Sequence, residues 1–415
     1  MEVPRLGLSE DFLDYVSECK NNQRDHVFMK RLRGLATKIF LHRFSVPRDL
    51  CRWAFRHYGE RLAFMTTEGE RLTFAELGAR VYGLAAGLLA RGLQAGDRVA
   101  FLLPNSLEFV ELRLACHEAS LTAMPLVWDL SPEARVRALS LTEAQMYAFD
   151  PELDRGAAET ASRGIPELRC VPVIRGDRRS IESLSSAGAG PSRVPIDPMA
   201  PATIHFTSGT TGEPKGVVST HGAWVSSLKM TVGSSRLTPG KKEVMLHAIP
   251  FATAGWGAVL PSLLGGVTGL LMRRFEPGLA LEFAEREQAT RAFLTPSQII
   301  DWLDEPTLGS SDLSTLGGLI YGTAPLHGPK AAEALRRFGP KLQQGYGLAE
   351  VLPPVALLWP EEHDPAGHPF RAGRPVRGVE IRIVDSDGSE VASGDRGQVG
   401  VESRTCTRAT GAGRT

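Results

Sequence analysis

The chain has 415 residues, 42% of them hydrophobic and 23% charged, which is enough for two or three domains or subdomains. Lys and Arg total 47 and so do Asp and Glu, so no overall field favours nucleic acid or an anionic membrane surface. Five cysteines without a Cys-x-x-Cys pair argue against a disulfide framework and against structural zinc, and fit a reducing cytoplasm.

Residues 1–45 read as a helical extension. Phe12, Val16, Phe28, Leu32, Leu35 and Ile39 recur at roughly helical spacing, and Lys20, Arg24, Lys30, Arg31, Arg33, Lys38 and Arg43 make the stretch basic. The expectation is a helix laid on the globular body. No basic stretch followed by an apolar one opens the sequence, so no signal peptide is expected.

An α/β pattern runs from there, with a first α/β subdomain over 46–190. Leu62-Ala63-Phe64 is a strand. Thr73 with Glu76 resembles a capping box before a helix through Leu77, Val81, Leu84 and Leu88. Gly96-Asp97 turns into a strand at Val99–Leu103. Pro104-Asn105-Ser106 opens a helix through Phe109, Leu112 and Ala115, and Ala123–Val127 is again a strand. Alternation of this kind implies a parallel sheet with helices on both faces. The Ser185–Ser192 stretch is a loop by composition and marks a boundary before a second α/β subdomain over 191–360.

The centre of the chain is Phe206-Thr207-Ser208-Gly209-Thr210-Thr211-Gly212-Glu213-Pro214-Lys215-Gly216. Its glycines allow close backbone approach to a ligand. Its hydroxyls and N–H groups can form an anion-binding nest, and Lys215 adds a point charge. Ala202–Phe206 reads as a strand before it and Val217-Val218 as a strand after it. Thr220 is a candidate N-cap for a helix from His221. The stretch is not a Walker A loop, whose Gly-Lys pair and following Ser or Thr it lacks.

Val244 to Met272 carries no Asp, Glu, Lys or Arg. Length and hydropathy would suit a membrane span, but Pro250, Pro261 and the glycines break it. The expectation is a strand at Val244–Ile249, a turn, a buried helix near Gly255–Leu264 and a strand at Val267–Met272, with His247 packed in the first strand. Leu279–Gln288 reads as a helix, and Arg291–Leu294 and Leu316–Tyr321 as strands. Val379–Val384 and Gln398–Val401 alternate in polarity and predict a small antiparallel unit. No internal repeat is present.

Further chemistry-bearing stretches follow the phosphate loop. In Gln343-Gln344-Gly345-Tyr346-Gly347-Leu348-Ala349-Glu350, the glycines let the Tyr346 ring lie against a flat ligand, and Glu350 is a hard oxygen donor suited to Mg²⁺. Gly322-Thr323-Ala324-Pro325 reads as a turn. Phe251, Ala252, Thr253, Trp256 and Tyr321 are candidates for the wall of a substrate pocket.

Residues 46–408 resemble the acyl-adenylate-forming superfamily of acyl-CoA synthetases, luciferases and peptide-synthetase adenylation domains. The phosphate loop matches almost position for position, and the Leu72-Thr73-Phe74, Gly96–Ala100, Gly322–Leu326, Gly345–Glu350 and Gly373-Arg374-Pro375 stretches follow in the family's order. The resemblance implies a fold of two α/β subdomains with mixed, largely parallel sheets in a layered arrangement, plus part of a small β subdomain over 361–415. It implies ATP, Mg²⁺ and coenzyme A as cofactors, and a carboxylic acid as substrate. Coenzyme A or a carrier protein would accept the acyl group. Thr207, Ser208, Gly209, Thr210, Thr211, Gly212 and Lys215 would hold phosphates. Gly322, Thr323, Ala324, Pro325, Gly345, Tyr346 and Gly347 would flank the adenine, and Glu350 the metal. Lys215 and Glu350 are the residues expected to serve the chemistry.

Some positions depart from the family's pattern. Ala349 replaces a threonine that touches the α-phosphate, removing a hydrogen bond worth roughly 1.5–3 kcal/mol. Ala252 stands where acyl-CoA synthetases have a gating histidine. It also stands where amino-acid-activating relatives have an aspartate, and an unpaired buried ammonium is costly, so an α-amino acid is disfavoured. The family's ribose aspartate, hinge and C-terminal catalytic lysine do not follow. The sequence past Arg408 matches a family codon run read one base late, so the expectation is a frameshifted, truncated end. A non-catalytic acyl or nucleotide binder is then an alternative to an acid–thiol ligase.

Overall fold

The computed structural model describes residues 40–174, 179–207, 215–234, 242–326, 328–363, 371–403, 405–406 and 408–410. Most of the 1–45 extension lies outside the described residues, as do Ser208, Gly209, Thr210, Thr211 and Gly212 of the phosphate loop.

Local signals set the helix starts. Thr73 Oγ1 accepts from the Glu76 amide at 3.2 Å while the Glu76 carboxylate accepts from the Thr73 amide at 2.8 Å, and the Phe74–Ala90 helix follows. Ser106 caps the Leu107–Ala119 helix, and Thr220 caps His221–Ser234 by accepting from the Ala223 amide at 3.1 Å. Each bond satisfies an amide that the helix itself leaves without a partner. Thr295 opens the Pro296–Asp304 helix, directly after the Arg291–Leu294 strand, through a second capping box with Gln298.

The strands in chain order are β1 (Leu62–Thr66), β2 (Arg71–Thr73), β3 (Arg98–Leu102), β4 (Thr122–Pro125), β5 (Met146–Phe149) and β6 (Arg169–Pro172). Flanking the phosphate loop are β7 (Pro201–Thr207) and β8 (Lys215–Thr220). Then come β9 (Val244–His247), β10 (Thr268–Leu271), β11 (Arg291–Leu294), β12 (Gly318–Gly322), β13 (Leu342–Leu348) and β14 (Val351–Leu358). The remainder are β15 (Arg374–Pro375), β16 (Val379–Val384), β17 (Gln398–Ser403) and β18 (Arg408–Thr410).

They form a sheet in the order β15-β14-β13-β12-β11-β9-β10-β1-β2, another in the order β18-β8-β7-β4-β3-β5-β6, and the β16-β17 pair. The sheet that starts at β15 is parallel at its centre and antiparallel at both edges, whereas the other is antiparallel only along β18-β8-β7 and parallel from β7 through β6. The division expected at residue 190 does not follow the sheets. β1 pairs with β10, so the start of the 46–190 segment belongs to the later sheet; β7 pairs with β4, so the phosphate-loop strands belong to the earlier one. The 361–415 segment is likewise shared. β15 joins β14 and β18 joins β8, while β16 and β17 pair antiparallel as their alternation predicts.

Alternation along the strands gives the layers. Val99 and Phe101 face one core and Ala100 and Leu102 another, while Phe64 faces the first core and Met65 a third. The first core therefore lies between the two large sheets. The helices Pro47–His57, Phe74–Ala90 and Leu107–Ala119 fill it, together with the Val259–Gly265 helix. Every residue of Leu107–Ala119 is buried, as a helix in a middle layer must be. Two of its carboxylates are paired with arginines. Glu118 takes Arg52 in a two-pronged contact and Glu111 takes Arg80 at 3.1 Å.

The apolar Val244–Met272 segment is β9, a 3-10 turn over Ala254–Ala258, the Val259–Gly265 helix and β10. Among the described residues no helix is long and apolar enough to cross a membrane. His247 is buried in β9, as its place in an apolar strand predicts.

Candidate active site

A cavity of about 370 Å³, mostly apolar in its wall, opens between the two large sheets. It opens at the carboxyl ends of β7, β12 and β13, the position where open α/β sheets present ligand sites because strand ends and loops meet there, and extends back along the sheet to Met245, Val267 and Arg291. From β12 and its end come Gly322 and Thr323, from β13 Gly345, Gly347 and Ala349, and from the segment after β9 Ala252 and Thr253.

Close backbone packing explains the glycines here. A Cβ on Gly322 would lie 2.7 Å from the Gly345 carbonyl oxygen, and one on Gly347 would lie 2.5 Å from Pro353 Cβ. Thr323 adopts φ 71°, the left-handed region that costs a residue with a Cβ roughly 1–2 kcal/mol. A glycine at this position would take the same φ without that cost.

The other expected residues are distributed around this frame. Lys215 is exposed at the start of β8, opposite Thr207 in register. Glu350 is exposed in the turn from β13 to β14, and Ala324 and Pro325 are exposed after β12. Tyr346 lies between the two cavity-lining glycines but packs on the small apolar cluster of Val351, Val355 and Leu357.

Three expected wall residues lie behind the wall. Phe251 and Trp256 are fully buried and packed on Phe109, with ring centroids 5.6 Å and 6.0 Å from it. Tyr321 is 2% exposed, and its hydroxyl meets Gln344 Oε1 and His363 Nε2, each at 3.2 Å. Strand alternation is the reason in the last case: Ile320 and Gly322 line the cavity and Tyr321 points to the opposite face.

Polar groups next to the wall were not apparent from sequence. Asn105 Nδ2 donates to the Ile249 carbonyl at 2.9 Å, and its Oδ1 accepts from the Phe251 amide at 2.7 Å. It thereby ties the segment that carries Ala252 to the end of β3 in the opposite large sheet. Arg113 is fully buried. It donates to the Phe251 carbonyl at 3.2 Å and to His205 Nε2 at 3.3 Å. Its guanidinium lies 4.4 Å from the Trp256 ring centre and 5.3 Å from that of Trp224. His205 and Trp224 line the cavity. Burial, with Arg113 adding, pushes the His205 imidazole down to about 3, so the ring is neutral at ordinary pH. A histidine inside an apolar strand, directly before the phosphate stretch, is a sequence signal that could have marked this place.

Comparison with known proteins agrees with this architecture. The AMP-binding enzyme family model matches residues 51–409. The chain is similar to a feruloyl-CoA synthase from Amycolatopsis sp, 32% identical over 80% of this chain and 65% of that one. It is also similar to the fatty acid–[acyl-carrier-protein] ligase ScoC from Streptomyces coeruleorubidus, 28% identical over 80% of this chain and 64% of that one. It thus spans about two thirds of the length of these relatives. Among solved structures it is similar to the amide bond synthetase McbA from Marinactinospora thermotolerans, with TM-score 0.76, 30% identity and coverage of 86% of this chain and 71% of that one. ATP-bound MatB from Rhodopseudomonas palustris has TM-score 0.77 and 27% identity, with 87% and 71% covered. The sheets, the order of the motifs and the extent of these matches place the chain in the AMP-binding, acyl-adenylate-forming enzyme family.

Proposed function

We propose that the chain binds ATP and a fatty or aryl carboxylic acid and joins them as acyl-AMP with release of pyrophosphate, and that the acyl group then passes to coenzyme A as a thioester. The observation that carries this reading is the mostly apolar cavity at the strand ends beside the phosphate-loop strands. An apolar wall suits a hydrocarbon or aromatic tail. The glycines of β12 and β13 let a nucleotide approach the backbone.

In this reading an oxygen of the acid's carboxylate attacks the α-phosphorus and the bond to pyrophosphate breaks. The protein contributes position and charge rather than covalent chemistry. Lys215 and the hydroxyls of Thr207, Ser208, Thr210 and Thr211 would hold the β,γ-phosphates. Gly322–Pro325 and Tyr346 would flank the adenine. Magnesium usually takes one or two carboxylates plus substrate phosphates, and the donor set fits: Glu350 is a hard, exposed carboxylate beside the site, and no cluster of three or more metal-ligating side chains occurs among the described residues. Glu350 would hold a magnesium ion whose charge offsets that of the phosphates. The apolar Ala252 after Phe251 favours an acid without an α-ammonium group.

Loading of a carrier protein is the second reading, favoured by the similarity to the fatty acid–[acyl-carrier-protein] ligase. The test is acid-dependent ATP–pyrophosphate exchange over benzoate, cinnamate and octanoate, followed by thioester assay with coenzyme A and with a phosphopantetheinyl carrier. Exchange with at least one acid is expected. ATP binding without exchange for any acid refutes the activation step.

A further inference from the structure

Arg113 presents an electrostatic problem. It is fully buried in the middle layer, yet among the described residues no carboxylate lies within ion-pair distance. Its partners are one carbonyl, one imidazole and two indole faces, all uncharged. Two other buried charges of the same helix, Glu111 and Glu118, each have an arginine. A buried charge without an opposite charge is unfavourable, and a bound anion near Arg113 would relieve it.

The path from Arg113 to the cavity is His205. A guanidinium only donates hydrogen bonds, so Nε2 of His205 accepts and the ring proton sits on Nδ1. The ring nitrogens of His117, His221 and His247 are sealed from solvent and have no partner among the described residues, whereas Nδ1 of the half-buried His205, likewise without a partner among the described residues, is not among the sealed atoms. The side chain lines a cavity whose wall is otherwise mostly apolar. Thus an oriented N–H donor, backed by an uncompensated positive charge, faces the space proposed for the acid.

We propose that His205 is a substrate-recognition residue whose Nδ1–H donates to an anionic oxygen of the acid's carboxylate, and that Arg113 is the positioning residue that fixes the ring and supplies the positive field. The assignment rests on the acid-activation reading above. The carboxylate is preferred to a neutral oxygen because only an anion offsets the charge of Arg113. A nucleotide phosphate shares that chemistry, so the test separates the two.

The experiment follows tryptophan fluorescence, since Trp224 and Trp256 flank Arg113, during titration of the full chain at neutral pH. The probes are benzoate, cinnamate and octanoate, each against its primary amide, and AMP. The wild type is expected to bind at least one acid about tenfold more tightly than its amide, the effect of one charge-assisted hydrogen bond. His205→Leu is expected to abolish that preference while leaving the affinities for the amide and AMP within about twofold. His205→Asn places an amide N–H close to where Nδ1 stands and is expected to restore most of the preference. Arg113→Met is expected to weaken it with AMP affinity unchanged. Equal affinity of the wild type for acid and amide, with AMP bound, overturns the His205 assignment alone. A fall in AMP affinity in His205→Leu with the acid preference intact moves the anion to the phosphate and overturns it too. A wild type that binds neither AMP nor any acid overturns the acid-activation reading itself. Should His205→Leu fail to fold, His205→Asn and Arg113→Met carry the same comparison, and a full acid preference in Arg113→Met overturns the proposal.

Discussion

Asn105 offers a direct test of how the cavity wall is held. Its side chain is buried and makes two bonds across the layers, to the Ile249 carbonyl at 2.9 Å and from the Phe251 amide at 2.7 Å. Asn105→Leu keeps the approximate volume and removes both partners. Each backbone group left buried and unpaired costs about 1–3 kcal/mol, and the carbonyl, with two lone pairs, falls at the lower end. The expected loss is therefore about 2–4 kcal/mol, felt locally in the 249–256 segment. Because a chain of this size does not unfold in one step, the suitable assay is native-state hydrogen exchange of peptides spanning 249–256. Protection of the Phe251 amide should fall by about one and a half to three orders of magnitude, at about 1.4 kcal/mol of opening free energy per decade. Asn105→Asp, which keeps the acceptor for Phe251 but loses the donor to Ile249, should fall between the two. Exchange of Phe251 within twofold of wild type in Asn105→Leu would refute the claim that Asn105 holds this segment.

Gly347→Ala would place a Cβ 2.5 Å from Pro353 Cβ. The β13–β14 pair must shift, so thermal stability should drop by about 1–3 kcal/mol, with weakened acid binding read by titration. Burial pulls His221 and His247 down to about 4. The unfolded chain therefore binds protons that the folded chain does not. Stability should be full above about pH 6.5 and decline as pH falls toward 4, by on the order of 3 kcal/mol per histidine; a urea midpoint that rises on acidification from pH 6.5 to 5 would contradict this. Ala349→Thr should lower the KM for ATP by about tenfold if the added hydroxyl reaches the α-phosphate. Lys215→Met should lower acid-dependent pyrophosphate exchange at least tenfold while leaving the thermal midpoint unchanged, since the side chain is exposed.

The sequence alone determined the local features. Cap residues placed helix starts to within a residue at Thr73 and Thr220, because each bond is made within one turn. Alternation predicted the β16–β17 pair, and apolar runs predicted β9, β11 and β12, because burial on one or both faces leaves a direct mark on composition. The order of the motifs pointed to the family. What lay beyond reach depended on residues far apart in the chain. That β1 joins β10 across about 200 residues, and β7 joins β4, is fixed by which strands find each other in the folded sheet, and parallel pairing leaves no turn signal between partners. Period-2 alternation shows that Tyr321 and Ile320 face opposite ways, but not which face meets the cavity; only the packing of the two large sheets decided that Ile320 does. Arg113, His205 and Asn105 lie on separate elements and acquire their roles only by meeting near the Phe251 backbone, where burial turns ordinary polar residues into obligatory partners.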